Sequence, residues 1–177
     1  MKSKWFAFLV WAGNLAAFAQ GQVNFDTHVT TATPPVDARI IGPDGVPWTD
    51  GYGELVIVGN GGSLTPLTPI GAFGTGAEAG YINAGTATAP AGFPGGTTVN
   101  LVLRAWLGSA GSTFDSSTWK GQTAPITITL TESPDVPNDL IGLTGFTLIP
   151  EPTAAAFGVT GIAALLLRKR ISHLINP

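Results

Sequence analysis

An antiparallel all-β fold is predicted by three features of the 177-residue sequence. Apolar residues recur at every second position in several runs, the period of a half-buried strand. Between Gln20 and Pro152 the chain carries 20 Thr, a branched residue that suits strands. In the same stretch Gly and Pro make 34 of 133 residues, about 26%, and they fall between the runs as turn punctuation.

The runs follow in order. Val23, Phe25, Thr27 and Val29 alternate with polar neighbours, and His28 falls on the polar side, facing solvent. Further strand candidates are Ala38–Ile41, Glu54–Val58, Glu78–Asn83 and Leu143–Ile149. Gly42-Pro43-Asp44-Gly45 and Phe93-Pro94-Gly95-Gly96 are turn signals. Thr97–Leu107 is the longest run and the natural central strand. Val99, Leu101, Leu103, Ala105 and Leu107 face inward, and Asn100, Val102, Arg104 and Trp106 outward. Glu54–Val58 and Pro125–Leu130, where Ile126, Ile128 and Leu130 alternate, are suited to flank it. No amphipathic helix longer than two turns stands outside the end segments. About seven or eight short strands with Gly/Pro turns read as an antiparallel β-sandwich, Ig-like or jelly-roll-like.

Charge divides the chain. Five of the eight basic residues, Lys2, Lys4, Arg168, Lys169 and Arg170, stand at the ends, while all eleven acids lie between Asp26 and Glu151. The body from Gln20 to Glu151 carries three positive and eleven negative charges, a net of −8. That balance excludes a nucleic-acid binder, which needs clustered Lys and Arg against phosphate. The absence of cysteine excludes disulfides, thiolate metal sites and a cysteine nucleophile.

The ends read as addresses. Lys2 and Lys4 precede the apolar run Trp5–Phe18, and Ala17-Phe18-Ala19 offers small residues two apart for signal peptidase. Residues 1–19 are thus a signal peptide, with Gln20 the first mature residue. At the other end Pro150-Glu151-Pro152 precedes the apolar run 153–167, then Arg168-Lys169-Arg170, then a cytoplasmic tail, 171–177. Pro152 can open a helix and Glu151 faces its positive dipole end. The basic triplet stops transfer and stays cytoplasmic. Fifteen residues at 1.5 Å rise give roughly 22 Å, so this transmembrane helix must thin the bilayer or let Arg168 snorkel.

This order of Pro-Glu-Pro motif, apolar helix and basic cluster, over residues 149–170, resembles the PEP-CTERM sorting signal. The resemblance implies recognition by an exosortase, a membrane-embedded cysteine protease, with cleavage near Pro150, Glu151 and Pro152. It also implies a Gram-negative-type envelope, an inner-membrane intermediate, then display or release, and an association with exopolysaccharide or biofilm matrix. The tail Ile171–Pro177 departs from the pattern, which usually ends soon after the basic cluster. The body, residues 20–148, resembles the β-sandwich ectodomains that precede such signals, through Gly80-Tyr81-Ile82 and Leu103-Arg104-Ala105-Trp106. Those ectodomains have no assigned activity as a group.

Catalytic machinery is not visible. There are two histidines, His28 and His173, and no G-x-S-x-G, P-loop, H-E-x-x-H or dinucleotide fingerprint. Gly71–Gly76 is glycine-rich but reads as a loop. No enzyme and no cofactor are expected. Asp44, Asp50 and Glu54 are weak calcium candidates, since their spacing is not that of an EF-hand. Trp48, Trp106 and Trp119 are candidate sugar platforms, with Arg104 able to stack on Trp106 two positions away. Two readings result: a non-catalytic exported surface or matrix protein, or a carbohydrate- or calcium-binding module displayed in the same place.

Overall fold

The computed structural model describes residues 19–109 and 111–150. These residues are all-β, with mostly antiparallel pairing, in three sheets. The strands in chain order are β1 (Gly21–Asp26), β2 (His28–Val29), β3 (Val36–Ile41), β4 (Tyr52–Val58), β5 (Leu64–Pro66), β6 (Gly71–Ala72) and β7 (Asn83–Thr88). After them come β8 (Thr98–Trp106), β9 (Trp119–Gln122), β10 (Ile126–Thr129), β11 (Thr131–Glu132), β12 (Asn138–Asp139), β13 (Thr144–Thr147) and β14 (Ile149–Pro150). Single 3-10 turns occupy Asn60–Gly62 and Gly76–Glu78.

The largest sheet is built on β8, as its long alternation predicts. β4 pairs along one side of it, from Tyr52 opposite Trp106 to Val58 opposite Asn100. The other side is shared: β10 covers Thr98 to Leu101 and β9 covers Arg104 to Trp106. At the changeover Thr123 does the work of a strand residue. Its Oγ1 accepts the Leu103 N–H at 3.1 Å, and its own N–H donates to the Leu103 carbonyl at 3.0 Å. β5 and β6 pair with β4, and β14 closes the far edge on β9. The second sheet gathers β7, β11 and β12 around β1, and the third runs β13-β3-β2. Among the described strand pairs β1–β12 and β3–β13 are parallel, as is the isolated Gly74–Ala79 bridge.

One apolar core joins the three sheets. Val23 and Phe25 of β1, Ala38 and Ile40 of β3, Leu55 and Ile57 of β4, and Leu101 and Leu103 of β8 are all buried in it. The period-two reading therefore names the core positions Val23 and Phe25 of β1 and Leu101 and Leu103 of β8 correctly.

Four expectations need correction. Leu107 lies past the end of β8 and is half-buried, so it does not complete the inward row. Val102 and Trp106, expected outward, are 4% and 1% exposed, so β8 is covered on both faces here. Glu78–Asn83 is not a strand; a 3-10 turn ends at Glu78 and β7 begins at Asn83. Gly80 explains the break. Its φ of +83° is left-handed, and a Cβ there would sit 2.7 Å from the Ile40 carbonyl oxygen. Leu143–Ile149 is split into β13 and β14 around Leu148, which is fully buried and donates its N–H to the Ile41 carbonyl. The strands are consequently shorter and more numerous than seven or eight.

The expected signal helix and transmembrane helix fall outside the described residues, apart from Ala19. Among the described residues no helix is long and apolar enough to cross a membrane.

Candidate functional site

A recess of about 600 Å³ opens where β1 passes into β2 and meets the segment from β6 to β7. Its walls come from residues far apart in sequence. Asp26 ends β1, His28 opens β2, Glu78 ends the 3-10 turn, and Tyr81 and Asn83 lead into β7. Thr27, fully buried between Asp26 and His28, holds this junction. It donates its N–H to the Ile82 carbonyl, accepts the Ile82 N–H on Oγ1 at 2.9 Å, and accepts the Ala38 N–H on its carbonyl. A buried Thr so bonded turns its two neighbours, Asp26 and His28, toward the opposite side.

The polar groups of the recess are mutually fixed. Asp26 accepts the His28 backbone N–H on one carboxylate oxygen and the Asn83 amide on the other, both at 2.8 Å. His28 Nδ1 lies 3.2 Å from Glu78 Oε2. The imidazole lies flat on the Tyr81 ring, with centroids 4.2 Å apart and planes 8° from parallel. The Arg39 guanidinium also stacks on Tyr81, 4.4 Å from its centroid. The Tyr81 hydroxyl donates to Asp37. Burial, helped by the Asp37 carboxylate, pushes the Tyr81 phenol above its ordinary range, so it remains a donor. His28 is thus a half-buried, partnered group and not the freely solvated residue the alternation implies.

A second polar cluster surrounds Arg104. Its guanidinium meets Glu54 at 3.2 Å and Asp115 at 3.1 Å, and lies 3.7 Å over the Phe114 ring. Burial raises the Glu54 carboxyl above its ordinary range despite the attraction of Arg104. The expected stack of Arg104 on Trp106 is replaced by this stack on Phe114. Trp106 instead meets Phe114 edge-on at 6.3 Å and donates its indole N–H to Ser112. The loop after β8 has folded over the outer face of the strand, a long-range cover that strand periodicity does not encode.

That cover removes Trp106 from the candidate platforms. Trp106 is 1% exposed and presents no face to a ligand. Trp48 is half-buried against the core, its indole N–H given to the Asp50 carbonyl. Trp119 is half-buried in β9, opposite Pro150. The expected carboxylates do not converge as a metal set either. Asp44 accepts the Val46 N–H within its turn, and Glu54 is held by Arg104. Among the described residues no group of three or more His, Asp or Glu is placed to hold a metal ion.

The processing residues Ala17, Glu151, Pro152, Arg168, Lys169 and Arg170 lie outside the described residues. Ala19 and Pro150 bound them. The Ala19 carbonyl accepts the Gly95 N–H, Gln20 bridges Pro94, and Pro150 pairs with Trp119. Sequence reasoning missed Asp26, Asp37, Glu78, Tyr81 and Asn83 as one group. Fifty positions separate His28 from Glu78, and no local spacing signals their meeting.

Comparison with known proteins finds no matching family model, no matching curated protein and no matching solved structure.

Proposed function

We propose that the chain is a non-catalytic exported surface or extracellular-matrix protein, sorted by an exosortase through its PEP-CTERM-like tail and associated with exopolysaccharide. The supporting reading is the order of the two end signals in the sequence, with an all-β body between them. Ala17-Phe18-Ala19 stands just before β1, and Pro150-Glu151-Pro152 opens the apolar run and basic cluster that follow β13 in the sequence. Removal of residues 1–19 by signal peptidase, and of a tail beyond Pro150, would leave all fourteen described strands intact. A domain that spans the interval between two processing signals is what export followed by sorting requires. We read the three sheets around one core as a β-sandwich ectodomain, held at the inner membrane by residues 153–167 before display or release.

The test is mass spectrometry of both chain ends, from a host with an exosortase and one without. The expected product starts at Gln20 and has lost its basic cluster only in the exosortase host. Glu151→Gln should reduce that trimming while leaving insertion intact, since insertion depends on the apolar run and on Arg168, Lys169 and Arg170. Equal trimming in both hosts would refute the sorting assignment, and Met1 on the surface form would refute signal cleavage.

A further inference from the structure

We propose that the recess at the β1–β2 junction binds a hexosamine, a pyranose carrying a free amine, in its ammonium form. The inference is independent of the tail. It starts from the tautomer of His28. A carboxylate can only accept, so the hydrogen between His28 and Glu78 sits on Nδ1, and in the neutral ring Nε2 is left as an acceptor. Glu78 commits Oε2 to this contact, and its side chain, which lines the recess, is 60% exposed, so its second oxygen is open to a further partner. Asp26 has both oxygens engaged, yet its charge remains beside that of Glu78. No Lys or Arg lines the recess among the described residues. The lining is therefore acceptor-rich and negative, and it selects a ligand that brings hydrogen-bond donors and a positive charge.

Two further features argue for a sugar ring over a bare amine. The His28 imidazole, backed by the parallel Tyr81 ring, is a rigid flat wall, the kind of surface on which an apolar pyranose face stacks. Asn83 commits one amide hydrogen to Asp26 and its oxygen to the Gly85 N–H. The second amide hydrogen, with the Thr30 hydroxyl, suits ligand hydroxyls that both donate and accept. A recess of about 600 Å³ lies within the range of small-ligand sites. The contacts that fix its polar groups are already made, so little ordering is needed on binding.

The experiment is an NMR titration of the full chain in detergent micelles with D-glucosamine, N-acetyl-D-glucosamine and n-butylamine. Saturable shifts are expected at His28, Glu78 and Asn83 with glucosamine, about tenfold tighter than with either control, the size of one charge-assisted contact. Glu78→Gln, a substitution at an exposed side chain that spares the fold, should weaken glucosamine about tenfold. N-acetylglucosamine binding equally well would overturn the ammonium requirement, and butylamine binding equally well would overturn the sugar. Absence of saturable shifts at these residues, or unchanged affinity in Glu78→Gln, would overturn the site.

Discussion

Replacing Thr27 by Val isolates the hydroxyl that ties the β1–β2 junction to the segment leading into β7. Thr27 and Ile82 are both fully buried, and Thr27 Oγ1 accepts the Ile82 N–H at 2.9 Å. Valine keeps the shape and the β-branch but cannot accept. The Ile82 N–H is then buried without a partner, at a cost of about 1–3 kcal/mol. Exchanging a hydroxyl for a methyl adds apolar burial worth at most about 0.8 kcal/mol in the other direction. The unmade bond therefore wins, with a net loss between about 0.2 and 3 kcal/mol, centred near 1–2 kcal/mol. For a domain of this size that lowers Tm by roughly 4–8 °C. Urea denaturation measures the stability, and hydrogen exchange at the Ile82 amide reports the bond itself. Exchange at Ile82 should quicken in Thr27→Val but not in Thr27→Ser, which keeps the hydroxyl. A Thr27→Val protein within about 0.3 kcal/mol of wild type, with Ile82 still protected, would refute the assigned bond.

Leu103→Asp should destabilise the domain by several kcal/mol, about 4 or more, because Leu103 is fully buried and the new carboxylate would sit in the apolar cluster. Arg104→Ser should cost about 1–3 kcal/mol, more than an ordinary surface change, because its side chain is 12% exposed and bridges Glu54 and Asp115; equal thermal shifts for the two variants would put β8 in the wrong orientation. Glu54 has a folded-state pKa raised by burial, so its contribution favours folding fully below about pH 4.3 and is lost as pH rises through the raised value. Glu54→Gln removes that term, so its stability relative to wild type should improve between pH 4 and pH 7, as measured by denaturation at each pH; a pH-independent difference would show that burial does not dominate Arg104.

The core face was legible because it is local. Alternation in Val23, Phe25 and Leu101, Leu103, Ala105 needs only the strand period to say which side is apolar. Two flanks of β8 were legible as well, since Glu54–Val58 and Pro125–Leu130 are short apolar runs suited to lie beside it, whereas β9 over Arg104–Trp106 gave no such signal. The outer face of β8 was not legible. Val102, Arg104 and Trp106 sit on it in alternation as expected, but whether that face meets water depends on Phe114 and Asp115, which arrive from the following loop. Periodicity assigns residues to faces and is silent on what covers each face. The recess was opaque for a stronger reason. His28, Glu78 and Tyr81 meet only because Gly80 takes a left-handed turn against Ile40 and Thr27 ties to Ile82. Each is a tertiary condition on a residue that reads locally as a turn or a strand.

The same reasoning explains why this body tolerates so many Gly and Pro without losing its core. The strands that carry most burial, β1, β3, β4 and β8, are six to nine residues long. Most of the others have two to four residues and could not hold a register alone. Side-chain hydroxyls complete the hydrogen bonding where those short pieces stop. Thr123 supplies the acceptor for Leu103 between β10 and β9, and Thr27 supplies it for Ile82 between β1 and β2. Thr131 does the equivalent for β11, donating to the Gln22 carbonyl. A chain with interrupted strands needs such substitutes because a buried peptide group without a partner costs more than the turn residue that caused the interruption. The threonines of this sequence thus serve two ends, strand propensity along the runs and backbone pairing at the breaks. Only the first can be read from composition.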